Sequence, residues 1–233
     1  MNYTIKPIAN TTSNLNTRTF ILTFSAGAAT YFADRDALKG SLGESLKEVR
    51  PTVFFGVPRV FEKIAQKMQE LGKSATPLQR SIGSWAKKTG LEHNLKKLES
   101  GDEPEYSRGH KISYPVAKKF VFSKVKQKLG LDRCRWICGG GAPFSRETLE
   151  YFLSLDIKLF EMYGLSETCG PHTGNHPALH KFETVGPSIT GCRTKIHEPD
   201  NGTGQGTYSY QMQFFQYFTV TKMIRYGTDY GMI

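Results

Sequence analysis

Apolar residues recur along the middle of the chain with two alternating periods. Leu38, Leu42, Leu46 and Val49 stand at helical spacing, and Pro51 closes the run. Gly40 and Gly43 weaken the start of that helix. Val53 to Val57 is a short apolar run with Gly56 inside it and Pro58 behind, the pattern of a strand buried on both faces. Pro58 suits the first turn of a second helix, with a stripe of Val60, Phe61, Ile64, Met68 and Leu71 and an end at Gly72. Thr76-Pro77 predicts a third start, with Leu78, Ile82 and Trp85 following on one face. The polar stretch 99–110 reads as a loop. Val116, Phe120, Val121 and Val125 mark a further basic helix, stopped by Gly130. Cys134 to Cys138 reads as a strand that runs into Gly139-Gly140-Gly141. Ser145 caps a short helix with Glu147 in its first turn and Tyr151, Phe152 and Leu155 facing the core. Ile157 to Met162 is the next strand, and it enters Tyr163-Gly164.

Strands and helices therefore alternate, which implies an α/β fold with a parallel sheet and packed helices. The pattern fades at both ends. Residues 1–26 are rich in Asn and Thr without a period and read as a poorly ordered lead-in, residues 27–206 as the domain, and residues 207–233 as a divergent tail rich in Tyr, Phe and Gln.

Length and composition narrow the class. A chain of 233 residues with 38% hydrophobic and 22% charged residues can bury a core without staples. Four scattered Cys give no disulfide framework and fit a reducing, cytoplasmic setting. No run approaches the ~20 apolar residues needed to span a bilayer, and the amino terminus is too polar for a signal peptide. The net charge of +10 is concentrated: residues 46–135 hold 20 Lys+Arg against nine acids. Such a face is a solvated helix surface or attracts phosphates, on nucleic acid, on a phosphorylated cofactor or on the anionic lipid of an intracellular membrane that the chain would bind peripherally. It has no zinc-finger spacing, basic zipper or aromatic RNA-binding signature, so no nucleic acid is expected as partner.

In open α/β sheets, ligands bind beyond the carboxyl ends of the strands. Two segments fall there. Residues 139–145, GGGAPFS, join a strand to a helix; the glycines permit close backbone approach, and the helix start offers unpaired N–H groups. The run lacks the Gly-Lys-Ser/Thr of a Walker loop and the GxGxxG of a dinucleotide site. Residues 163–174, YGLSETCGPHTG, open with an aromatic ring, a glycine, two hydroxyls and a carboxylate within six residues at one strand end. Tyr163 can stack on a base, Ser166 and Thr168 can donate to phosphate oxygens, and Glu167 can hold Mg²⁺ beside substrate phosphates. The two segments lie one helix apart and should face one crevice. His172, His176 and His180 repeat every fourth residue, but the intervening Gly and Pro forbid the helix on which that spacing would gather a metal. Cys134 and Cys138 read as buried thiols.

The GGGAPFS run, the YGLSETCGPHT run after LFEM, and TVGPSITGC resemble the adenylate-forming superfamily of acyl-CoA synthetases and luciferases. With DALKGSL and EVRPTVFFGVPRVFEKIAQK, they resemble its long-chain acyl-CoA synthetases of the bubblegum type. The resemblance implies a partial adenylate-forming large domain and a reaction in which a long-chain fatty acid and ATP give an acyl-adenylate, then acyl-CoA. It implies Mg²⁺ as cofactor and CoA as co-substrate. Carried over by motif, Gly140, Gly141 and Ala142 line the adenine and acyl site. Glu161, Met162, Tyr163 and Gly164 frame the adenine, Ser166 stands beside the α-phosphate, and Glu167 binds Mg²⁺. Phe55, Gly56 and Val57 lie near the acyl tunnel. The family's Ser/Thr/Gly-rich phosphate loop and the carboxyl-terminal lid with its lysine are not found in this sequence. The expected outcome is an inactive fragment with exposed strand edges and marginal stability. A non-catalytic nucleotide- or lipid-binding module is the other reading.

Overall fold

The computed structural model describes residues 4–7, 29–31, 33, 40–100, 108–165, 168, 170–199, 206–214 and 218–225. Its centre is a six-stranded sheet, made of β1 (Thr4–Pro7), β2 (Ala29–Thr30), β3 (Val53–Gly56), β4 (Trp136–Gly140), β5 (Phe160–Leu165) and β6 (Gly170–Gly174). The order across it is β2-β1-β3-β4-β5-β6. All neighbours run parallel except β6, which turns back antiparallel on β5. The α/β architecture read from the sequence is the one observed.

Both ends of the chain contribute strands. The lead-in contributes β1, which inserts between β2 and β3 with Ile5 beside Val53. The tail contributes β8 (Gly206–Phe214) and β9 (Phe218–Arg225), which pair antiparallel with β7 (Cys192–Pro199) as a second sheet. The remainder of both segments lies outside the described residues.

Local chemistry sets the helices. Helix α1 (Leu42–Val49) buries Leu42 and Leu46 and starts after Gly40, whose φ is 147°; Leu38, where the sequence began the run, lies outside the described residues. Helix α2 (Pro58–Lys73) takes Pro58 at its first turn behind an extended Val57 and buries Val60, Phe61 and Ala65. Ile64 and Met68 are half-buried, and Leu71 is exposed. Helix α3 (Pro77–Ser100) opens with a reciprocal capping box: Gln79 N–H donates to Thr76 Oγ1 (3.3 Å), and Thr76 N–H donates to Gln79 Oε1 (3.2 Å). Its buried face is Ala86, Thr89, Gly90 and Asn94. The Leu78, Ile82 and Trp85 face is exposed, so the predicted stripe is real but is not the core face.

Helix α4 (Arg108–Ala117) contains Pro115 and passes through a π-helical turn (Lys118–Phe122) into α5 (Ser123–Leu129). A proline inside a helix removes one backbone donor, and the wider π turn accommodates that change. Gly130 ends α5 at φ 72° and lies against the Leu46 carbonyl of α1, where a Cβ would come within 2.2 Å. Helix α6 (Arg146–Ser154) is capped by Ser145, whose Oγ accepts from Thr148 N–H.

The main core lies between the sheet and helices α1, α2 and α6. Phe61 is its hub, with ring centroids 5.5 Å from Phe54, 5.4 Å from Phe144 and 5.8 Å from Phe152. Asn94 ties α3 to α6 by donating from Nδ2 to the Leu153 carbonyl (3.1 Å) as well as to Gly90 of its own helix (3.0 Å). Among the described residues no helix is long and apolar enough to cross a membrane.

Candidate functional site

Three parallel strands end side by side. Gly56 of β3 pairs with Gly139 of β4, and Gly139 and Gly140 pair with Glu161 and Met162 of β5. Parallel strands separated by helices must deliver their carboxyl ends to one edge, so the chain's order alone brings these segments together. Val57, Gly141-Ala142 and Tyr163-Gly164 follow directly. The triple-glycine corner and the tyrosine corner are thus neighbours, as their spacing implied.

The three glycines stand there for different reasons. A Cβ on Gly139 would meet the Phe144 ring at 2.4 Å and the Gly56 carbonyl at 2.7 Å. One on Gly140 would meet the Met162 carbonyl at 2.5 Å. Gly141 has open space around it, and its φ of 88° is what selects glycine. Gly139 and Gly140 are buried, whereas Gly141 and Ala142 are exposed and present the turn to solvent.

On the facing strand Glu161 is buried, Met162 and Tyr163 are half-buried, and Gly164 is exposed. Burial pushes the Glu161 carboxyl up; backbone hydrogen bonds from Phe144 and Glu183 oppose that, and the Glu183 carboxylate adds to it. Its Oε2 is buried without a hydrogen-bond partner among the described residues. A carboxyl held this way can meet a hydrogen-bonding group of a ligand at the strand end. Phe55 and Val57 are half-buried, and Gly56 is buried against the Phe61 ring.

Ser166 and Glu167 lie outside the described residues. Thr168, their neighbour, is fully buried. Its hydroxyl accepts from Leu165 N–H (2.8 Å) and donates to the Gly170 carbonyl (2.8 Å). That corrects its reading as a phosphate donor: the side chain closes the loop that carries Ser166 and Glu167. Asn175 is a residue that sequence reasoning missed. Its N–H donates to the Glu161 carbonyl (2.9 Å), and its Nδ2 donates to the carbonyls of Lys181 (3.3 Å) and Thr184. It pins the 181–184 loop beside β5. The only sequence signal was an Asn following a glycine at a strand end.

The three histidines occupy a strand and a loop. His172 is buried in β6 with Nε2 2.6 Å from Thr194 Oγ1, and burial lowers its pKa. His176 accepts from Ala178 N–H. His180 is buried between Phe160 and Phe182, with centroids 5.0 and 5.8 Å away. Burial first, and Lys158 second, bring its pKa down to about 4. Among the described residues no three metal-binding side chains gather. Burial pushes the Cys134 and Cys138 thiols up to about 12, so neither is a nucleophile at neutral pH.

Comparison with known proteins identifies the family. The family model for AMP-binding enzyme matches residues 12–207. The long-chain-fatty-acid–CoA ligase ACSBG2 of Xenopus laevis is 50% identical over 185 residues, covering 79% of this chain and 24% of that protein. ACSBG2 of Gallus gallus is 43% identical over 204 residues, covering 87% and 26%. Human ACSBG1 is 40% identical over 180 residues, covering 77% and 24%. The chain thus spans about a quarter of the length of these relatives.

Among solved structures, a benzoate CoA ligase from Burkholderia xenovorans LB400 aligns with a TM-score of 0.53 at 15% identity, covering 91% of this chain and 33% of that one. The o-succinylbenzoate coenzyme A synthetase of Bacillus subtilis, in complex with AMP, aligns at 0.55 and 13%, covering 91% and 33%. At those identities the likeness is one of fold. The family match begins inside the segment read as a lead-in, at residue 12, and continues to the first residues of β8. Its span covers the glycine and tyrosine corners and the strands that carry them, and on that ground the chain belongs to the AMP-binding enzyme family.

Proposed function

We propose that this chain is the nucleotide-gripping part of an AMP-forming long-chain fatty-acid:CoA ligase. In the complete reaction a fatty-acid carboxylate attacks the α-phosphate of ATP and pyrophosphate leaves. The thiol of CoA then attacks the acyl carbon and AMP leaves. Tyr163 stacks on the adenine, with Glu161 and Met162 framing it and Gly164 leaving room at the rim. Gly140, Gly141 and Ala142 line the adenine and acyl site from the facing corner. Ser166 stands beside the α-phosphate, and Phe55, Gly56 and Val57 border the acyl path. Mg²⁺ would supply charge neutralisation at the phosphates. Its assignment to Glu167 rests on the motif.

The observation that carries this reading is the pairing of Gly140 with Met162, which sets the glycine turn beside Tyr163 at adjacent strand ends. The names of the relatives support the acyl substrate. Adenylyl transfer depends on positioning and charge stabilisation, and no phosphate loop or lid lysine was recognised in the sequence. The 233-residue polypeptide taken alone therefore binds nucleotide without turnover. Loss of both groups lowers the rate by several powers of ten, on the order of 5 kcal/mol or more in the barrier. The test incubates the chain with ATP, Mg²⁺, palmitate and CoA and, separately, titrates it with a non-hydrolysable acyl-adenylate analogue. Binding abolished by Tyr163→Ala, with no AMP or acyl-CoA formed, is the expected result. Analogue binding that Tyr163→Ala leaves intact removes the adenine assignment. The chain's site of action is cytoplasmic, with its basic segment on an anionic intracellular membrane.

A further inference from the structure

Two exposed apolar stripes lie between the Phe55–Val57 segment and the glycine turn in the chain. One is Leu78, Ile82 and Trp85 on α3, and the other is Ile112, Val116 and Phe120 on α4 and the π turn; each residue is between 40% and 71% exposed. They belong to one antiparallel helix hairpin, with the His93 ring stacked on Tyr114 (3.5 Å) and Ala86 clustered with Ala117 and Phe122. Helix α3 turns Gly90 and Asn94 onto α6, where Gly90 abuts the Ser154 carbonyl. At ~100° per residue, Leu78, Ile82 and Trp85 then fall on the flank away from α6. Ile112 and Val116 lie across α4 from Tyr114, which donates to Asp156 at the end of α6. Both stripes therefore open on the outward side of the hairpin.

Charge selects the occupant. The stretches 71–91 and 109–131, which carry the stripes, hold ten Lys+Arg and not one Asp or Glu. Arg80, Lys88, Lys111, Lys118, Lys119 and Lys124 are all exposed. Lys119 lies over the Phe120 ring, 5.8 Å from its centroid, so cation and aromatic are presented together. A protein partner with an apolar docking surface does not require such a one-signed rim, whereas an anionic bilayer does. Exposed Trp, Phe and aliphatic side chains enter the headgroup boundary while flanking lysines meet anionic headgroups.

We propose that the outward face of the α3–α4 hairpin docks on an anionic lipid surface, with Trp85 and Phe120 entering the interface. This deepens the peripheral-membrane reading above and rests on it, but it is independent of the adenine crevice. The test is flotation of the chain with phosphatidylcholine vesicles containing or lacking 30% phosphatidylserine. Emission from Trp85 is followed in a Trp136→Phe background. Binding at least tenfold tighter to the anionic vesicles, weakened by salt, with a blue shift of Trp85, is expected. Ile112→Ser with Phe120→Ser should weaken it at least tenfold at an unchanged circular-dichroism melt, because both residues are exposed. Tyr163→Ala should leave vesicle binding intact.

Absence of binding to either vesicle overturns the membrane reading itself. Salt-sensitive binding that the double serine variant leaves unchanged overturns this face while leaving a purely electrostatic contact. A dimer without vesicles that the same variant dissociates assigns the face to a second copy. Binding by this chain that disappears in a polypeptide spanning the relatives' full length assigns it to another part of the longer protein. Either of these last two results overturns the proposal.

Discussion

Replacing Gly140 by alanine tests the join between the two corners most sharply. The added Cβ would sit 2.5 Å from the Met162 carbonyl oxygen and 3.4 Å from its carbon. Both are backbone atoms of the next strand, so no side chain can swing aside. Strands β4 and β5 must part by about half an ångström to restore contact distance, stretching a ladder held near ~4.8 Å. Overpacking of this kind costs about 1–3 kcal/mol, and one weakened ladder bond adds ~1 kcal/mol. The sum, about 2–4 kcal/mol, lowers the melting temperature by about 5–12 °C for a chain of this size. Gly141→Ala meets no atom closer than 3.9 Å and costs only the left-handed backbone penalty, about 1–2 kcal/mol or about 2–5 °C. The assay is a pair of thermal melts with analogue titrations on the same samples. Gly140→Ala should also lose analogue affinity, because the glycine turn moves away from Tyr163. A Gly141→Ala fall equal to or larger than that of Gly140→Ala would refute this packing argument.

Three further outcomes follow from the packing. His180 is buried with its pKa brought down to about 4, so its contribution is complete above the unfolded value near 6.5 and is lost as pH falls toward 4, about 3 kcal/mol in all. His180→Phe should flatten that slope in urea titrations between pH 7 and 4. Burial alone would raise the Asp156 carboxyl, but Lys126 at 2.9 Å and the Tyr114 hydroxyl at 2.8 Å outweigh it and hold it below its usual range. Its stabilisation is present above about pH 4 and lost as pH falls through the depressed value. Asp156→Ala should cost about 2–3 kcal/mol by leaving Lys126 without its partner. Asp156→Asn should cost less, because asparagine tolerates the φ of 59° at this position. Thr168→Val should leave the Leu165 N–H without its acceptor, costing about 1–2 kcal/mol locally. It should reduce analogue affinity more than it lowers the global melt.

What could be read in the sequence was what short-range chemistry decides. The starts of α2 and α3 were legible because Pro58 and the Thr76-Pro77 pair act within one turn. Strands β3, β4 and β5 were legible as apolar runs, and their parallel order followed from the helices between them. Strand β1 was not, because Thr4–Pro7 is short, carries Lys6 and Pro7, and gains its place through partners some twenty-five and fifty residues on. The Leu78, Ile82 and Trp85 stripe was visible, but periodicity marks a face without saying whether anything covers it. At the crevice, three consecutive glycines looked equivalent. Only the neighbouring strands show that two make room for atoms and one supplies a backbone angle. Thr168 carried a plausible ligand group, and its loop had already used it.

The most direct measurement of the central claim is hydrogen–deuterium exchange of the chain with and without AMP. If the glycine turn and the tyrosine strand end are two sides of one adenine crevice, amides of 139–145 and 161–168 gain protection together. Protection confined to one of the two segments, or appearing only elsewhere, contradicts the account.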